Sequence, residues 1–178
     1  MLPRAYDLAK SGQGATIREA VEADFSEIWG IYSKVLNEGL YTPSIRDQKA
    51  LDRNNHPGSG NDEESGFLTL LCEIDGEVVG YASIEESVWD LSKHVGELGI
   101  AILPKFRGIG VGSALLDSLL RFAYEKGFEK MTLSVFHTNR HAIRLYRKFG
   151  FKEVGRKKRQ FNLQGHYIDE IIMERFLA

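Results

Sequence analysis

Apolar residues recur along this chain with two periods, and each period marks out a different kind of element. Phe67 to Ile74 and Glu77 to Ser87 are strand-like runs on either side of Asp75-Gly76, a dipeptide that closes two-residue hairpins. His94 to Leu103 reads as a further long strand, and Ala15 to Glu19 and Met131 to Val135 as shorter ones. Phe151 to Asn162 and His166 to Phe176 predict a final hairpin around Leu163-Gln164-Gly165. Helical spacing groups Ile28, Ile31, Tyr32, Val35 and Leu36 on one face, with Gly39 as the stop. Asp24 and Glu27 have the spacing of a capping box for that helix. The same spacing sets Leu116, Leu119, Leu120 and Ala123 on a helix from Gly112 to Lys126, closed by Gly127. It also sets Ala142, Leu145, Tyr146 and Phe149 on a third helix. A weaker helix over Ser44 to Arg53 and a polar loop from His56 to Gly66 fill the remaining stretch.

Residues 1 to 14, ending in Ser11-Gly12-Gln13-Gly14, read as a loose leader. With no internal repeat, low-complexity tract or linker, residues 15 to 178 are expected to form one domain. At 178 residues the chain can bury about 70% of its unfolded surface. Its 43% hydrophobic and 27% charged content is that of a globular domain. A net charge of −2 gives no general attraction to nucleic acid, and no apolar run approaches the roughly 20 residues of a membrane span. The single Cys72 excludes an internal disulfide, fits a reducing compartment and suits a buried inert thiol on its apolar strand. The N-terminal residues lack the apolar core of a secretion signal, so a cytoplasmic location is expected.

The chemistry concentrates between Leu103 and Ser113. A strand runs into Arg107, then Gly108, Gly110 and Gly112 at alternate positions, then an amphipathic helix. Glycines at a helix N-terminus let backbone N–H groups approach an anion, and the helix dipole adds roughly half a positive charge there. A nucleoside-triphosphate loop would need Gly-Lys-Ser/Thr, and no lysine follows these glycines. A dinucleotide fingerprint fails on spacing, since Ser113 or Leu115 stands where its last glycine or alanine belongs.

What the spacing does match is Arg107-x-x-Gly110-x-Gly112, which resembles the acetyl-CoA loop of the GNAT acetyltransferases. Downstream, Asn139, Ala142, Leu145, Tyr146, Gly150 and Phe151 fill the family's Asn-x-x-Ala-x-x-Leu-Tyr-x-x-x-Gly-Phe segment. Tyr167 to Met173 resembles its closing strand. The resemblance is strong from about His94 to Phe176 and rests on topology alone from Ala15 to Ser87. It implies an α/β fold: a mixed, mostly antiparallel sheet with helices on both faces and a splayed central strand pair. It also implies an N-acetyltransferase that moves an acetyl group from acetyl-CoA directly to a primary amine on a small molecule, amino acid or peptide N-terminus. The alternative is a non-catalytic acyl-CoA sensor with the same fold. No metal is expected, and assembly into a homodimer is compatible with the resemblance.

In such a fold the backbone of Arg107, Gly108, Ile109, Gly110, Val111, Gly112 and Ser113 would hold the pyrophosphate. Ala101, Ile102 and Leu103 would line the pantetheine arm from one side, and Asn139, Ala142 and Tyr146 from the other, with Lys148 toward the adenosine end. Tyr146 is the candidate proton donor to the leaving thiolate, because a phenol of pKa about 10 stays protonated where a thiol of about 8.5 is forming. Glu97 is the candidate general base, with His94 as the rival on the same approach. Asn37 to Tyr41, together with His166, Tyr167 and Asp169, are expected near the acceptor. Asp62-Glu63-Glu64 and the Arg156-Lys157-Lys158-Arg159 run read first as solvated charge. The latter, as a regular strand, would divide its charges between two faces.

Overall fold

The computed structural model describes residues 3–8, 11–39, 67–87 and 89–177. The expected helix over Ser44 to Arg53, the loop with Asp62-Glu63-Glu64, and Leu40 and Tyr41 lie outside the described residues. Eight strands form one sheet: β1 (Arg4–Asp7), β2 (Gly14–Glu19), β3 (Phe67–Ile74), β4 (Glu77–Glu86), β5 (Val95–Ile102), β6 (Lys130–Phe136), β7 (Lys152–Leu163) and β8 (His166–Phe176). Their order is β1-β2-β3-β4-β5-β6-β8-β7, antiparallel at every step except β5 to β6. Both expected hairpins are present. Asp75 and Gly76 take φ of 51° and 79°, and Gln164 and Gly165 take 49° and 90°, the left-handed pairs that tight hairpins need.

Helix α1 (Phe25–Asn37) covers one face of the sheet, and α2 (Val111–Glu125) and α3 (Arg140–Lys148) cover the other. Ile28, Ile31 and Val35 of α1 meet Leu71, Tyr81 and Ala101 in one core cluster. Leu116, Leu119, Leu120 and Ala123 of α2 are all buried, as their spacing predicts. Leu115, Ser118 and Phe122 are buried as well, so α2 is enclosed around much of its girth.

Two local readings are corrected. The leader contains β1, paired with β2 from Arg4↔Ile17 to Asp7↔Gly14. The Tyr6 hydroxyl lies 2.6 Å from the buried Ser118 Oγ of α2. A buried hydroxyl needs a partner, and Tyr6 supplies it. The expected capping box is absent too. Asp24 accepts from the Val21 N–H at 2.8 Å and from both Nη groups of Arg18 at 2.7 and 2.8 Å. A bidentate guanidinium outcompetes a helix-end N–H for the same carboxylate.

Candidate active site

The site begins where the one parallel pairing ends. Strands β5 and β6 are in register at Val95↔Lys130, Gly96↔Met131 and Glu97↔Thr132, and there the pairing stops. Beyond Glu97 the two strands diverge while β5 stays paired to β4 as far as Gly80↔Ile102. The splayed central pair is therefore present. Extra strand β1 makes its members the fifth and sixth strands of the chain.

Backbone alternation decides which groups line the opening. Leu103 donates its N–H to the Val79 carbonyl at 3.0 Å, so Leu103, Ala101 and Gly99 direct their backbone groups toward β4. Residues of the other parity, Ile100 and Ile102, direct theirs into the gap. The Gly96 carbonyl, 3.4 Å from Thr132 Oγ1, fits this parity on the β6 side. Of the backbone groups expected to bind an arm, those of Ala101 are occupied within the sheet, whereas those of Ile100 face the gap. The Ile102 carbonyl already accepts from Arg107 Nε–H at 2.9 Å.

The gap leads into the glycine turn. Arg107 N–H reaches the Pro104 carbonyl, and Ser113 N–H the Gly110 carbonyl at 2.9 Å. The two ends of the expected cradle are thus committed. Among the described residues the N–H groups of Gly108, Ile109, Gly110, Val111 and Gly112 donate to no carbonyl or side chain. These include the orphan donors of the first turn of α2. Gly108 (φ 77°) and Gly110 (φ 124°) hold conformations that side chains resist. Gly112 differs: a Cβ there would lie 3.0 Å from Leu145 Cδ2 and 3.2 Å from Ile102 Cδ1, a tight fit in which those side-chain ends would have to give by a few tenths of an ångström. That glycine brings α2, α3 and β5 together.

Helix α3 is capped by Asn139, whose Oδ1 accepts the Ala142 N–H at 3.2 Å. Its side-chain oxygen is committed to the cap, and its amide N–H₂ is what could contact a ligand. Tyr146 is 5% exposed, with its ring edge-on to Phe151 at 5.9 Å between centroids. Burial pushes its phenol above the ordinary tyrosine range, so it is protonated at neutral pH. Ala142 is half-buried and Lys148 exposed at the end of α3, its Nζ 6.0 Å from the Phe149 ring centroid.

Glu97 is exposed and is the last residue of β5 paired to β6. Its partner across β4 is Glu85, which sequence reasoning missed. Burial first, and then the Glu97 charge, raise the Glu85 carboxyl above its ordinary value. Only the register of β4 on β5, set through the turn residues between them, places Glu85 there. His94 precedes β5, and its carbonyl accepts from Glu129 and Lys130. Its backbone anchors the start of β6, one position outside the strand.

The β7–β8 hairpin departs from regular alternation. The register shifts between Lys157 and Phe161, with Arg159 at φ 53°. Arg159 donates its N–H to Asp169 Oδ1 at 2.8 Å, and its guanidinium lies 3.8 Å from the Tyr167 ring centroid. Lys157 pairs with Glu170 and Arg156 with Asp169. The basic run is thus largely engaged by its own hairpin. Asp169 is also tied to His137, whose Nδ1 accepts the Asp169 N–H at 2.9 Å. His166 is exposed at the hairpin turn. Cys72 is fully buried on β3 with its thiol pushed up to about 12, which keeps it inert. Among the described residues no group of His, Cys, Asp and Glu could hold a metal, and no helix is long and apolar enough to cross a membrane.

A sequence model of the Acetyltransferase (GNAT) family matches residues 17–151, and the chain belongs to that family. An L-amino acid N-acetyltransferase of Escherichia coli is 31% identical over 114 residues, covering 64% of this chain and 70% of that one. An N-alpha-acetyltransferase of Sulfolobus acidocaldarius is 38% identical over 102 residues, 52% of this chain and 60% of its own. Among solved structures, a phosphinothricin acetyltransferase from Sinorhizobium meliloti in complex with AcCoA is 28% identical. It superposes with a TM-score of 0.78 over 92% of this chain and 89% of that one. The protein is an acetyltransferase of this fold.

Proposed function

We propose that the protein transfers an acetyl group from acetyl-CoA directly to a primary amine on a small molecule, amino acid or peptide N-terminus. One observation carries the reading: the gap-facing backbone at the β5–β6 opening leads to the undonated N–H groups of Gly108 to Gly112, a line interrupted where the Ile102 carbonyl accepts from Arg107 Nε–H and the Leu103, Phe106 and Arg107 N–H groups are paired. An arm bearing amides and ending in a pyrophosphate is complementary to that line. Neighbours solved with acetyl-CoA support the same donor.

In this reading acetyl-CoA supplies the acetyl group as a thioester, whose carbon–sulfur bond is exchanged for a carbon–nitrogen bond to the acceptor. The N–H groups of residues 108–112 hold the pyrophosphate, aided by the α2 dipole. Ile100 and Ile102 take the arm as a further strand would, and the Asn139 amide meets it from α3. Glu97, at the foot of the opening, takes a proton from the acceptor nitrogen. The Tyr146 hydroxyl donates a hydrogen bond to the departing sulfur. A phenol of raised pKa gives its proton to a thiolate uphill, so that proton moves only as the carbon–sulfur bond breaks. The buried, inert Cys72 leaves no thiol to carry the acetyl group, which favours direct transfer. Relatives named for amino-acid and N-alpha acetylation support an amine acceptor of this class.

The test is thiol release from acetyl-CoA over a panel of amino acids, polyamines, antibiotics and N-terminal peptides. Acceptor-dependent release with one amide product per thiol is expected. Tight acetyl-CoA binding with no release on any amine would instead identify a sensor.

A further inference from the structure

Arg107 belongs to the glycine turn by sequence, yet its side chain is engaged elsewhere. Its Nη1 and Nη2 donate to Glu38 Oε2 and Oε1 at 2.7 and 2.6 Å, a two-pronged pair between residues far apart in sequence. Its Nε–H donates to the Ile102 carbonyl at 2.9 Å. Glu38 caps the C-terminal end of α1, and both side chains are largely shielded, at 21% and 30% exposed. The guanidinium therefore joins three pieces: the end of α1, the end of the gap-facing edge of β5, and the start of the turn. Arginine's planar fork loses little further freedom once both prongs are held.

We propose that Glu38 is a positioning residue for cofactor binding, acting through Arg107. This rests on the reading that residues 108–112 hold the pyrophosphate of acetyl-CoA. By engaging both Nη groups, Glu38 aims Nε at the Ile102 carbonyl and so fixes the residue from which the cradle starts. The N–H groups of 108–112 then face the anion without first being ordered, which lowers the cost of binding. The effect is read on cofactor affinity, because the contact Glu38 makes is with Arg107 at the start of the cradle.

The experiment measures coenzyme A affinity by calorimetry, and KM for acetyl-CoA against kcat, for the wild type, Glu38→Gln, Glu38→Asp, Arg107→Gln and the Glu38→Gln/Arg107→Gln double variant. Melting curves on each confirm the fold. Glu38→Gln is expected to weaken coenzyme A about tenfold in calorimetry without any acceptor present, and to raise KM for acetyl-CoA by a similar factor. Glu38→Asp, which keeps the carboxylate, should recover part of the loss. The double variant should be no worse than Arg107→Gln alone, as for two groups acting through one contact. Unchanged or tighter coenzyme A binding in folded Glu38→Gln overturns the proposal, as does a double variant whose losses multiply. Should Glu38→Gln not fold, the aspartate and Arg107→Gln variants carry the same comparison. A wild-type protein that does not bind coenzyme A refutes the cradle itself.

Discussion

Strand β5 has two edges with opposite fates. Its β4 edge is paired from Gly96 to Ile102, every other residue exchanging backbone bonds with its partner. Its β6 edge is paired over three residues and then opens. The same strand is closed within the sheet on one side and open on the other. Closure of polar groups within the chain gives stability, whereas polar groups left unpaired beside a buried core are where binding and chemistry can occur. The clusters at the two edges repeat the contrast. Arg18, Asp24 and Glu73 form a closed ionic group far from the opening. Glu85 and Glu97 are like charges set directly across from one another at its foot, an arrangement that costs stability.

The largest test of this contrast is at the opening. Tyr146→Phe and Glu97→Gln should each lower kcat by about 100-fold, within the usual range for acid–base groups. Melting temperature and acetyl-CoA affinity should hardly change. The combined loss should fall short of the product if both act in one transition state. Near-normal turnover of Tyr146→Phe, with chemistry shown to be rate-limiting, would return the tyrosine to a packing role.

On the closed side, Asp24→Asn should leave kcat intact and cost about 1.5–3 kcal/mol, the range for hydrogen bonds to charged groups. That corresponds to a fall of about 3–12 °C in melting temperature for a chain of this size. The Arg18 hydrogen bonds, as the largest cause, hold the Asp24 carboxyl below its ordinary value. Its contribution is therefore present above the unfolded-state value and lost as pH falls through the folded one. Wild type should lose stability on acidification in that window, and Asp24→Asn should lose less. Parallel melting curves for the two proteins down to low pH would contradict this.

Exchanging single amides for esters along β5 separates the two edges directly. An ester replacing the Ala101 N–H removes a ladder bond to β4 and should cost about 0.5–1.5 kcal/mol of stability with cofactor affinity preserved. An ester at Ile100 should do the reverse, weakening acetyl-CoA at constant melting temperature. Equal effects at both positions would dissolve the distinction. The smallest expected change is a gain. Glu85→Gln removes a like-charge neighbour of Glu97 and should stabilise the protein by about 0.2–1 kcal/mol at neutral pH. Because the Glu85 carboxyl is raised in the folded state, its ionisation destabilises the fold as pH rises through that value. The gain from glutamine should therefore vanish at acid pH, and thermal melts at the two pH values read it.

Much of the local structure on the proposed cofactor side could be read from the chain because it is built from local rules. The Gly108-Ile109-Gly110 turn requires backbone conformations open to glycine. Leu116 to Ala123 declare a helix face by spacing, and Asn139 caps the helix three residues before Ala142. Asp75-Gly76 and Gln164-Gly165 fix the registers of their hairpins. What sequence could not supply are pairings between elements joined by long or irregular connections. Glu85 meets Glu97 only because β4 and β5 adopt one register out of several. Tyr6 finds Ser118, and Arg18 draws Asp24 out of its expected cap. The Arg107 fork turns to Glu38 because α1 ends beside the turn. The alternating glycines looked alike in sequence, yet Gly112 serves helix packing while Gly108 and Gly110 serve backbone conformation. Periodicity and turn chemistry act over a few residues and are written locally. Which side of β5 stays open, and which charges meet there, depends on how whole strands align. Only the folded sheet determines that.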